Sequence, residues 1–168
     1  MSYDFSLHLV GPGESIDDVL ARPGDDLELE GAEVVASLLA INPQLELVEF
    51  GPFLELTDLR YGVQITIHRT TLSVAVPYHH VGEEAERALN AAWDYLEVCA
   101  EVTGYVVYDP QLGRVVDLNL DRVESTESYA GVIETMPSMM SQVRRELERR
   151  SHVENLPEGR RPWWKFWN

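Results

Sequence analysis

The chain is poor in the features that catalysis, export or nucleic-acid binding usually leave in a sequence. It has one cysteine, Cys99, in 168 residues, which excludes an intrachain disulfide and suits a reducing compartment. No apolar run approaches the roughly 20 residues of a membrane span, and the first residues lack the basic and apolar regions of a secretory signal. A cytoplasmic location is therefore expected. Basic residues are scarce as well, 13 Lys and Arg against 29 Asp and Glu, for a net charge of −16. The scarcity is uneven: residues 1–121 hold 22 of the acidic and 5 of the basic residues, whereas 122–168 are close to neutral. Such a field repels phosphates and anionic lipid and speeds encounter with cations. The expected partner is a basic protein, and neither nucleic acid nor membrane.

Catalytic signatures are missing too. Ser125, Thr126 and Ser128 lack the flanks of a nucleophile elbow. Gly11-Pro12-Gly13 is too short for a dinucleotide loop, and acidic residues follow it. His79 and His80 are adjacent and have no Cys or acidic residue at a zinc-like spacing, so they read as surface polar residues. Asp109 could serve as a general base, alone or paired with Asp117, but a turn explains it without chemistry. No catalytic residue, metal or cofactor is expected, and the chain reads as a non-enzyme.

What is present is pattern. Tyr3, Phe5, Leu7 and Leu9 alternate with polar residues, the period of a half-buried strand. Ser15 can cap a short helix through Ile16, Val19 and Leu20, and Glu33 to Ile41 makes a second helix that Asn42-Pro43 stops. Leu45 to Phe50 and Phe53 to Leu56 read as strands around Gly51-Pro52. Val63, Ile65 and Ile67 with Leu72, Val74 and Val76 form a hairpin closed by Pro77. The organising stretch follows: a helix from Glu83 to Thr103 with a buried stripe of Ala85, Ala88, Leu89, Ala92, Leu96 and Cys99, capped by Gly104. Two short strands, Tyr105 to Tyr108 and Arg114 to Leu118, flank an Asp109-Pro110 turn.

This order predicts an α+β fold: an antiparallel or mixed sheet with helices on one face, in a split βαβ or ferredoxin-like arrangement. The expected domain is 1–121, followed by an extension over 122–168 with a helix from Ser138 to Arg150 and an aromatic tail, most simply packed on the domain. That tail holds Trp163, Trp164 and Trp167 beside Arg160, Arg161 and Lys165, a pairing suited to docking. On the exposed side of the long helix, Asp94, Glu97 and Glu101 stand in one row at spacings of three and four. These six residues, three acidic and three aromatic, are the candidate partner-binding positions.

The stretch Gly104 to Leu118, GYVVYDPQLGRVVDL, together with ITIHRTTLSVAVPYHH, resembles a group of small bacterial proteins that end their sheet with a YDPQ turn; the resemblance implies no activity. By size, acidity and lack of chemistry the chain also resembles, by analogy, immunity proteins that protect bacteria from delivered toxins, including those of contact-dependent inhibition. The analogy implies a cytoplasmic inhibitor that steers onto a basic toxin domain, a nuclease for example. A structural or adaptor subunit that engages a partner or itself through the Trp-rich tail is the alternative.

Overall fold

Alternation and helical stripes become elements with few shifts of boundary. The computed structural model describes residues 2–21, 29, 31–69 and 71–135. In chain order these give β1 (Ser2–His8), α1 (Ile16–Ala21), α2 (Gly31–Ile41), β2 (Glu46–Phe50), β3 (Phe53–Asp58), β4 (Val63–His68), β5 (Thr71–Pro77), α3 (Glu83–Thr103), β6 (Val106–Asp109) and β7 (Arg114–Val115). Residues 122–135 are helical and are called α4.

The strands form one seven-stranded sheet in the order β2-β3-β4-β5-β1-β6-β7. Every pairing is antiparallel. β5 and β6 flank β1, so α3 carries the chain across β1 between two strands of the same direction, which is the split βαβ connection. Register places Tyr3 opposite Val76, Phe5 opposite Val74 and Leu7 opposite both Leu72 and Val107, so all of these point to one face. The helices cover that face. A Cβ on Gly31, at the start of α2, would lie 3.1 Å from Leu54 and 3.4 Å from Ile67. Trp93 of α3 meets Phe5 edge-on at 5.8 Å, and Tyr129 of α4 meets Tyr3 at 5.7 Å. The other face shows Asp4, Glu55, Gln64 and Thr66, as an antiparallel sheet with one wet side should.

The buried stripe of α3 is wider than the six residues named from the sequence, because Trp93 and Tyr95 belong to it. Trp93, Leu89 and Leu96 are almost wholly buried, and burial of side chains this size contributes about 1.5–3 kcal/mol each. Gly104 ends the helix at φ 69, a left-handed position, with its N–H on Ala100 O. Ser15 caps α1 as expected: its Oγ accepts from Asp18 N at 3.2 Å while Asp18 Oδ2 accepts from Ser15 N at 3.1 Å, a reciprocal capping box.

Two expectations change. The last strand stops at Val115, because Asp117 turns the chain: its carbonyl accepts from Leu120 N and Asp121 N. Arg114 instead reaches Asp121 at 2.7 Å and Glu124 at 2.6 Å, and the Arg114 hydrogen bond holds the Asp121 carboxyl down at about 2. The change of composition at Arg122 is also no break in the core, since α4 begins there and buries Ser125 and Tyr129. The first of two compact units runs from Met1 to Ile133. Of the second, Glu134–Asn168, only Glu134 and Thr135 are described, so the expected Ser138 to Arg150 helix lies outside the described residues.

Candidate functional site

The clearest concavity follows from how β3 ends and α2 stops. Asp58 closes β3 and turns the chain by accepting from Arg60 N at 2.9 Å. Asn42 ends α2 and accepts from Gln44 N at 3.1 Å, the local bond that an Asn before Pro is suited to make. Between them stands Tyr95 of α3, whose hydroxyl donates to Asp58 Oδ2 and accepts from Asn42 Nδ2, both at 2.7 Å. This chain of bonds ties three elements together and floors a groove of about 590 Å³. Burial, with Asp58 adding, pushes the Tyr95 pKa up, which keeps the hydroxyl a donor.

One wall of the groove is the acidic row. Asp94, Glu97 and Glu101 line it together with Ala91 and Val98, and the opposite rim carries Arg60 and Tyr61. Four carboxyl groups thus face a single guanidinium, and Arg60 is itself laid over the Tyr61 ring at 5.0 Å. Neither α2 nor α3 has a basic residue in its last turn, so neither helix supplies a cation of its own to the negative end of its dipole. Arg122 moderates this. It bonds Asn90 Oδ1 at 2.9 Å and lies 3.2 Å from Asp94 and 4.0 Å from Glu97. Glu101 has no charged partner among the described residues. These pairs are about half exposed, so each is worth little in stability, and their main effect is on local potential.

Asp109, the other candidate carboxyl, is fully buried. It accepts from Tyr3 Oη at 2.7 Å, Ser125 Oγ at 3.4 Å, Gln111 N at 2.8 Å and Leu112 N at 3.1 Å. That is a turn anchor. Asp117 is not its partner; the Asp117 side chain accepts from Asn119 N. His80 is buried rather than on the surface, with Nε2 donating to Tyr61 O at 2.7 Å, and only His79 is exposed. Cys99 is buried and its thiol is pushed up to about 12 by burial. Among the described residues no cluster of three or more His, Cys, Asp or Glu is placed to hold a metal, and no helix is long and apolar enough to cross a membrane.

No known family, curated protein or solved structure matches the chain. The geometry is therefore the whole of the argument about function. It brings Asp94, Glu97 and Glu101 together with Asp58, Tyr61 and Tyr95, which sequence reasoning had not joined to them. Tyr95 was legible as a position three residues beyond Ala92 on the buried stripe; Asp58, at the end of an alternating strand, carried no signal. Trp163, Trp164 and Trp167 lie outside the described residues.

Chemically, the groove can hold a cation. It offers carboxylates at its rim and a floor fixed before any guest arrives.

Proposed function

We propose that this chain is a non-catalytic cytoplasmic binding protein of the immunity type, which neutralises a basic toxin domain, a nuclease being the class most suited to its charge. The observation that supports this reading is the preformed acidic groove beside α3, on a body whose net charge of −16 steers cationic surfaces toward it. Neutralisation needs only occlusion: a basic catalytic face, evolved to hold phosphates, would place its Lys and Arg side chains against Asp94, Glu97 and Glu101 and lose access to substrate.

The test is binding of the purified protein to the basic product of the adjacent gene, measured by calorimetry at two salt concentrations. Reversing two charges, Glu97→Lys with Glu101→Lys, should weaken binding at least tenfold and leave the thermal transition in place. Unchanged affinity removes the groove from the interface, and absence of binding at low salt ends the reading. Affinity lost on deleting 160–168, but retained after charge reversal, favours the adaptor role instead.

A further inference from the structure

The sheet has two edges, and they differ. β7 is two residues long and its Arg114 is occupied by Asp121 and Glu124. β2 is five residues long, ELVEF, and among the described residues it pairs only with β3. The turn between them, Gly51-Pro52, has Gly51 at φ 58, and proline fixes its own φ near −65°; this is the sequence and geometry of a type II′ hairpin turn. In a two-residue hairpin the flanking pair, Phe50 and Phe53, is hydrogen-bonded. The bonding alternates from there, so Leu47 and Glu49 turn their backbone N–H and C=O groups away from the sheet.

We infer that the β2 edge is a strand-addition site for an extended basic segment of the partner; this rests on the function proposed above and names its mode of recognition. Free edges are commonly guarded by charge. Here the guards, Glu46 and Glu49, are both acidic, so they resist neutral and acidic strands and favour a basic one. The side chains define the complement. Phe50 is 56% exposed and Phe53 41% exposed, and Phe53 stacks on His68 at 3.9 Å, so an aromatic opposite Phe50 extends an existing row. An antiparallel strand then needs Lys opposite Glu49, a β-branched residue opposite Val48, an apolar residue opposite Leu47, which is 38% exposed, and Lys opposite Glu46. Its C-terminal end emerges beside Gln44, which lines the acidic groove, so one basic segment can occupy the edge and then the groove.

A second copy of this chain fits less well. Antiparallel self-pairing centred on Val48 sets Glu46 against Phe50 and Leu47 against Glu49, and it joins two bodies of net charge −16.

The probe is a fluorescent peptide with the core Phe-Lys-Val-Leu-Lys, read against a permuted peptide, Lys-Lys-Phe-Val-Leu, by anisotropy. The first should bind at least tenfold more tightly. Leu47→Pro removes one outward N–H at a position an edge strand tolerates and should weaken binding at least tenfold. If that variant does not fold, the wild-type protein is tested with the peptide N-methylated at the Lys opposite Glu49 and the Leu opposite Leu47, with the same loss expected. Equal, salt-sensitive binding of the ordered, permuted and methylated peptides overturns strand addition and leaves the cation-binding reading standing. No binding of any of them, nor of polylysine, overturns both. A concentration-dependent dimer that Leu47→Pro abolishes assigns the edge to a second copy and overturns the basic occupant.

Discussion

Two tyrosine–aspartate pairs sit under the same sheet and make the same bond, a hydroxyl donating to Oδ2 at 2.7 Å: Tyr3 to Asp109 and Tyr95 to Asp58. Their surroundings separate them. Tyr3 and Asp109 are fully buried, and Tyr78 and Tyr129 close over them, stacked at 5.5 Å. Asp58 and Tyr95 are nearly as buried, but they floor a groove rimmed with carboxylates. One pair is sealed and holds a turn; the other is fixed in place yet stands beside a surface that can take a guest. The bond does not tell them apart, and its neighbours do. A functional assignment drawn from the pair alone would have chosen the more deeply buried one.

The comparison can be broken most forcefully at Asp109. Asp109→Ala deprives two backbone N–H groups and two hydroxyls of their acceptor in a closed site, and should cost on the order of 3 kcal/mol in urea unfolding. A loss near zero would show that the site is wet. Next comes the matched pair of hydroxyl deletions. Tyr3→Phe should cost about 1–3 kcal/mol, and Tyr95→Phe about 0.5–1.5 kcal/mol, because water in the groove can replace the lost donor to Asp58. Equal costs would erase the distinction between the two pairs.

The last effect is silent at neutral pH. Burial, with Tyr78 adding, pushes the Tyr129 hydroxyl up from 10.0 to about 12, and burial raises Tyr3 as well. The fold favours the protonated form, so this contribution is complete below pH 10 and is lost as pH rises toward 12. Tyrosinate absorbance should therefore grow together with loss of the circular dichroism signal over that range. Absorbance that grows first would mean that the sealed end opens without unfolding.

Most of the fold was legible because it rests on period. Alternation in β1, β4 and β5 and the three-and-four spacing of α3 follow from one buried face per element. The sequence hides α4, although 122, 125, 126, 128, 129, 132 and 133 are its less exposed positions and keep helical spacing; its first turns bury Ser125 and half-bury Thr126 and Ser128 rather than aliphatic residues, so the pattern is present without the hydrophobicity that reveals it. Trp93 stands four residues after Leu89 on the α3 stripe and is buried with it. The groove was half legible. The acidic row follows from spacing on one helix, but Asn42, Asp58 and Tyr95 meet through three elements far apart in sequence, a relation that no local period contains.

The position of β1 has a consequence for how the sheet is assembled. It is the strand nearest the start of the sequence, yet it lies between β5 and β6, so both of its ladders wait for chain that comes much later. Loop closure over such separations must be met before the pairing rewards it, and folding dominated by non-local strand pairing takes milliseconds to seconds. Until Val106 to Tyr108 arrive, the Tyr3, Phe5 and Leu7 strand keeps an open side. The strand that is written first waits about a hundred residues for its second partner.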